Sequence, residues 1–154
     1  MTKDVVVTIS GFHMDEEEGD TIEMVYIGEY HERKGVHYVF YEERLEGVAD
    51  PVKNRITVTE QKIELQKRGP VTVNMVFEEQ KHQSSTYAIP YGSFLMDTYT
   101  TKVEVKTEED CLGATASYEL HVNGVRCASC DVRVFVQSRD TFQLMERGKD
   151  DGEE

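Results

Sequence analysis

Residues Ser84 to Glu108 hold the run Thr86-Tyr87-Ala88-Ile89-Pro90-Tyr91-Gly92, followed by a long apolar/polar alternation that ends Lys102-Val103-Glu104-Val105-Lys106. The stretch reads as two strands with a corner between them. Proline has no N–H for a β-ladder and glycine takes positive φ without a Cβ penalty, so Pro90 and Gly92 mark the place where a strand bends or changes partner. The residues on either side read as more strand.

Outward from this corner, period-2 alternation dominates, and no window of a dozen residues has helical periodicity outside the last turn or so of the chain. Val5, Val7 and Ile9 share one face; after the acidic loop Asp15-Glu16-Glu17-Glu18-Gly19-Asp20, Ile22, Met24 and Tyr26 line the next strand. Glu32 to Gly35 makes a turn. Val36 to Glu46 carries Tyr38, Phe40 and Tyr41, which favour a pleated, half-buried surface, and it stops at Gly47-Val48-Ala49-Asp50-Pro51. Strands follow at Arg55 to Thr59 and Lys62 to Lys67. After the turn Arg68-Gly69-Pro70, Val71, Val73, Met75 and Phe77 alternate with polar residues as far as the loop Glu79 to Gln83. Beyond the corner come the loop Thr107 to Leu112, a strand Gly113 to Val122, and a last strand to about Ser138. The pattern predicts an all-β, single antiparallel up-and-down barrel of eight to ten strands, since closure removes the exposed edges that an all-β monomer must otherwise protect. Residues 1–139 form that barrel domain, and residues 140–154 a short cap and a disordered acidic tail.

A chain of 154 residues is long enough to bury roughly 70% of its unfolded surface in one core without a metal or disulfide. The net charge of -13 repels phosphate backbones and anionic lipid, which speaks against nucleic-acid and membrane partners. Met1-Thr2-Lys3-Asp4 leads straight into Val5-Val6-Val7 without a charged and then apolar leader. Three cysteines cannot all pair within one chain, and a cytoplasmic location is expected.

Motifs spread along the chain carry a resemblance. They include Ile9-Ser10-Gly11, Gly28-Glu29-Tyr30, Tyr38-Val39-Phe40-Tyr41-Glu42-Glu43, Val52-Lys53-Asn54-Arg55-Ile56, and Leu65 with Arg68-Gly69. Met75-Val76-Phe77-Glu78, Tyr87 with Pro90-Tyr91-Gly92, Met96, and Tyr118-Glu119-Leu120 with Asn123-Gly124 complete the set. In their order and spacing, over roughly Val5 to Val136, they resemble the YwiB-like family of uncharacterised bacterial proteins, a domain of unknown function. The resemblance implies a calycin-like, that is lipocalin-like, β-barrel and brings no reaction or ligand with it. The acidic insertion Asp15 to Glu18, the Cys127/Cys130 pair and the acidic tail depart from the family pattern.

The sharpest motif is Cys127-Ala128-Ser129-Cys130, because a CxxC binds zinc or cycles as a redox pair when both sulfurs reach one point. Asn123-Gly124 signals a two-residue type I′ turn that pairs Val122 with Val125, His121 with Arg126 and Leu120 with Cys127, leaving the two cysteines on opposite faces. One extra residue near Ala128-Ser129 would instead turn Val132, Val134 and Val136 inward and bring both cysteines to one side. The five histidines, His13, His31, His37, His82 and His121, fall on separate elements without chelating spacing. His82-Gln83-Ser84-Ser85 places a base beside hydroxyls without an evident orienting group. No metal, cofactor or enzyme activity is expected.

Arg68, at a strand end beside Gly69-Pro70, is placed to reach a barrel mouth and hold a ligand carboxylate. Tyr38, Phe40, Met75, Phe77, Tyr87, Tyr91, Met96 and Tyr118 are the large candidates for the interior, which such side chains either fill or wall around a ligand. The expected function is binding of a small apolar or amphipathic molecule. The alternative is a packed structural or protein-interaction barrel that meets a protein partner through its surface or tail.

Overall fold

The computed structural model describes residues 1–11 and 23–142; the loop Asp15 to Asp20, His13, Ile22 and the segment from residue 143 onward lie outside the described residues. Ten strands follow in order: β1 (Asp4–Ser10), β2 (Glu23–Arg33), β3 (Val36–Glu43), β4 (Val52–Val58), β5 (Lys62–Arg68), β6 (Val73–Glu78), β7 (Lys81–Ile89), β8 (Gly92–Thr107), β9 (Cys111–Val122) and β10 (Val125–Ser138). A helical turn begins at Arg139.

The sheet order is β6-β5-β4-β3-β2-β1-β10-β9-β8-β7, antiparallel throughout. The first and last strands pair with each other, so the ring closes at a seam between β6 and β7. Among the described residues, Thr72 and Ala88 bridge that seam, through reciprocal backbone hydrogen bonds of 2.9 and 2.8 Å. The connecting turn is fastened to β8 instead, where a bulge between Thr100 and Lys102 turns backbone groups toward it. There Gln80 donates its backbone N–H to the Thr100 carbonyl at 2.8 Å, and Glu79 accepts the Val103 N–H at 2.9 Å.

Two hairpin turns set the register. Lys34-Gly35 and Asn123-Gly124 have φ of 53°, 80°, 49° and 82°, the left-handed pair that a type I′ turn requires. Asn123-Gly124 pairs Val122 with Val125 and His121 with Arg126, as the sequence predicts. Leu120 then faces Ala128 rather than Cys127, because Cys127 is the extra residue of a bulge. Val132, Val134 and Val136 turn inward as a result. Pro90 and Gly92 mark a sharper feature than a corner: Ile89 pairs with Gly92 across a two-residue reversal.

Alternate residues of the strands fill the interior. Val5, Val39, Val58, Ile63, Phe77, Leu112, Ala116, Val132 and Val136 have 0% exposure, so no water-sized void adjoins them and the waist of the barrel is solid. Each such aliphatic or aromatic side chain contributes on the order of 1.5–3 kcal/mol by leaving water. Gly28, on the inner side of β2, lets β3 approach: a Cβ there would stand 2.5 Å from the Phe40 carbonyl oxygen.

One expected face is reversed. In β3 the inward residues are Val39 and Tyr41, while Tyr38 is half-buried on the opposite side and Phe40 is 41% exposed. The run Tyr38-Val39-Phe40-Tyr41 is apolar on both faces, so alternation within it could not choose; pairing of Val39 with buried Ile56 does.

Candidate functional site

With the waist packed, open space lies at the barrel's ends. One end gathers the β2–β3, β4–β5 and β8–β9 turns around a cleft of about 900 Å³, a volume typical of small-molecule sites. Met1, Tyr30 and Val105 give it apolar surface, and Glu32, Glu60, Glu108 and Glu109 line it with carboxylates.

The hairpin register builds its polar centre. Glu32 lies directly opposite His37, and Tyr30 lies two residues before Glu32 on the same side of β2. The Tyr30 hydroxyl stands 2.6 Å from His37 Nδ1 and 3.3 Å from Glu32 Oε2, and the Tyr30 and His37 rings stack at 5.8 Å. Burial, then the Glu32 charge and hydrogen bond, push the Tyr30 phenol up to about 12. Cys111 donates its thiol to Glu108 at 3.5 Å. Burial first, then Glu108 and Asp110, push that thiol up, so it stays protonated and weakly nucleophilic.

At the opposite end the inward positions carry a closed ion-pair network. Lys67 donates to Glu43 Oε1, and also to Asn54 Oδ1 at 2.9 Å. Glu43 accepts from Asn54 Nδ2 at 2.9 Å and from the Tyr26 hydroxyl at 3.2 Å, while Tyr26 stacks on Tyr41 at 4.5 Å. Burial alone would push the Glu43 carboxyl up, but Lys67, Asn54 and Tyr26 together hold it below its ordinary value. Tyr26 rises to about 12 through burial and the Glu43 charge; Tyr41 and Tyr87 are raised by the same two causes.

The expected site residues scatter. Met75, Phe77, Met96 and Tyr118 are interior, with the Phe77 and Tyr118 rings 4.7 Å apart, and they belong to the packed waist. Tyr87 is half-buried against the core. Phe40 and Tyr91 face solvent, Tyr91 at 89% exposure because it sits at the tip of the β7–β8 reversal. Arg68 is exposed as well: β5 turns Ile63, Leu65 and Lys67 inward, so the basic residue at the mouth is Lys67. Sequence reasoning missed Tyr30, Glu32 and His37, although a two-residue turn at Lys34-Gly35 implies the register that joins them.

Ser84, His82 and Asp97 meet on the outer surface of β7 and β8. Asp97 accepts from Ser84 Oγ and lies 2.8 Å from His82 Nε2, the same nitrogen that stands 3.4 Å from Ser84 Oγ. One ring nitrogen serving both partners leaves no relay from serine through imidazole to carboxylate. The arrangement is a surface hydrogen-bond cluster, stacked on Tyr99 at 4.4 Å. Cys127 is exposed and Cys130 buried, and among the described residues no group of three or more histidines, cysteines and carboxylates is placed to hold a metal ion.

Fold and site thus define a small up-and-down β-barrel with a solid waist, an inward ion pair near one end and a cleft at the other. The chain belongs to the family described as Domain of unknown function (DUF1934), whose model matches residues 7–134. Its fold is similar to the crystal structure of the ywiB protein from Bacillus subtilis, with a TM-score of 0.73, 17% identity, and 88% of this chain and 92% of that chain covered. No curated protein matches. The likeness drawn from the dispersed motifs is therefore the family relationship, and the fold is an antiparallel up-and-down β-barrel.

Proposed function

We propose that this chain is a binding module for a small, partly apolar molecule, seated in the end cleft rather than in the middle of the barrel. The observation that carries this reading is a cleft of about 900 Å³ that opens at one end above a waist without voids. A binding role in place of a catalytic one is supported by the chemistry of the described lining, where the thiol and the phenol are both raised and so held in their protonated, weakly nucleophilic forms. Cys111 and Cys127, neither in a disulfide, support a cytoplasmic setting, and among the described residues no helix is long and apolar enough to cross a membrane. The acidic surface speaks against nucleic-acid and membrane partners. The second reading, a protein-interaction barrel, has its own observation in Tyr91, Leu95 and Val125, all exposed apolar residues at or near hairpin tips of the opposite end.

Native mass spectrometry of the chain taken gently from cells tests the first reading. The expected result is a small-molecule adduct on the wild-type chain that is lost in Thr107→Trp, whose indole would fill the cleft from an exposed lining position. Bare chain mass in the wild type would refute it, and a co-purifying protein sensitive to Tyr91→Ser would favour the second reading.

A further inference from the structure

We propose that the outer face of β2, β1 and β10 is a homodimer interface, in which a second copy of this chain, related by a twofold axis parallel to β1, covers Val25, Ile27 and Phe135. The face lies on the barrel wall, apart from the end cleft. Antiparallel registers set its residues side by side: Val25, Thr8 and Phe135 form one row across the three strands, and Glu23, Ser10 and Arg133 form the next outward row. Val25, Ile27 and Phe135 are 52%, 65% and 40% exposed, although all three are apolar. A sheet face in contact with water takes polar residues at such positions, as β4 does with Lys53, Arg55 and Thr57 and β5 with Lys62, Glu64 and Gln66. An apolar strip that continues across neighbouring strands, with charged residues at its border, marks a contact surface rather than scattered exposure.

Charge selects both the occupant and the axis. Glu23 and Arg133 are exposed and stand in one row on opposite sides of β1, and among the described residues neither has an ion-pair partner. Because β2 and β10 both neighbour β1, a twofold axis along β1 lays β2 of one copy over β10 of the other at the same height. Val25 then meets Phe135 and Glu23 meets Arg133, each contact occurring twice by symmetry. A twofold axis across the strands, midway along β2, would instead set Glu23 against Glu29 of the other copy, a juxtaposition of like charges that costs affinity. The acidic stretch Glu146 to Glu154 is a poorer occupant for the same reason, since Glu23 and Glu29 bracket Val25 and Ile27 on β2. Two convex barrel walls meet over few strands, which places the dimer among small, exchanging interfaces of micromolar affinity.

Sedimentation velocity of the full chain at increasing concentration tests the inference. The wild type is expected to pass from monomer to dimer through the micromolar range. Ile27→Lys, at an exposed position, is expected to weaken the dimer about tenfold and to leave the urea unfolding midpoint of dilute, monomeric protein unchanged. Glu23→Arg alone and Arg133→Glu alone are each expected to weaken the dimer about tenfold, and the two swaps together to restore it to within about threefold of the wild type, because each pair is then reversed rather than broken. A wild type that stays monomeric throughout would overturn the inference. A lower unfolding midpoint in Ile27→Lys would overturn it by showing that the strip is covered within one chain. A dimer that both single swaps leave intact, or that the double swap fails to restore, would overturn it by placing the contact elsewhere.

Discussion

Lys67→Met isolates what the inward ion pair contributes. Glu43 and Lys67 side chains are 19% and 15% exposed, so both charges have lost most of their water. The substitution keeps the aliphatic stem, removes the ammonium, and leaves the carboxylate with Asn54 and Tyr26 as donors. Breaking a buried pair from one side costs about 3–5 kcal/mol; two surviving hydrogen bonds and partial exposure put this case at the lower end, about 3 kcal/mol. Because the folded Glu43 carboxyl lies below its ordinary value of 4.5, its contribution is present above that value and fades as pH falls through the folded value. The gap between wild type and K67M in urea unfolding is therefore expected to be about 3 kcal/mol at pH 7 and to narrow below about pH 4.5, where both chains protonate Glu43. Combining Glu43→Gln with K67M removes both charges and should cost at least ~1 kcal/mol less than the two single losses together. Additive singles, or a gap that stays constant from pH 7 to pH 3.5, would refute the assignment of an energetically coupled pair.

Thr100 has a buried hydroxyl without a hydrogen-bond partner, so Thr100→Val, similar in shape, is expected to raise stability by about 1 kcal/mol in urea titration; destabilisation would mean the hydroxyl is satisfied. Gly28→Ala would set a methyl 2.5 Å from the Phe40 carbonyl oxygen and is expected to cost about 2 kcal/mol, read as a lower unfolding midpoint. Alkaline titration followed by tyrosinate absorbance should show Tyr26 and Tyr30 ionising near 12 rather than 10. Since the unfolded chain ionises first, stability should fall between pH 10 and 12; loss of these two late signals in the Tyr26→Phe and Tyr30→Phe variants assigns them.

Period-2 patterning was enough for the barrel, because most strands are apolar on one face only: Ile56 alternates with Arg55 and Thr57, and Ile63 with Lys62 and Glu64. It failed where that contrast vanished. In Tyr38-Val39-Phe40-Tyr41 both faces are apolar, and only a neighbouring strand decides which one turns in. At the end of β5 both Lys67 and Arg68 are basic, so strand parity alone separates the buried cation from the exposed one. A bulge was the alternative reading of this strand, near Ala128-Ser129; it falls at Cys127 instead, turning Val134 inward while leaving Cys127 exposed and Cys130 buried. The cleft was least legible. Its residues come from three turns and β-strand ends distant in the chain, and only closure of the ring brings Glu60 and Glu108 to the side of Tyr30.

A solid waist separates the two ends, and their chemistries differ in charge balance. At the β3 C-terminal end, Lys67 and Glu43 neutralise each other and the amide of Asn54 serves both, so the network meets its own hydrogen-bond demands. A ligand arriving there would have to break bonds already made inside the barrel. At the Tyr30 end, Glu32, Glu60, Glu108 and Glu109 line the cleft with no lysine or arginine among its described lining residues, and the central phenol lies between His37 and Glu32. Binding gains most where the free protein has left space that a ligand enters without breaking bonds already made. The two ends are separable by mutation: changes at Lys67 should move stability and leave cleft binding alone, and Thr107→Trp should do the reverse.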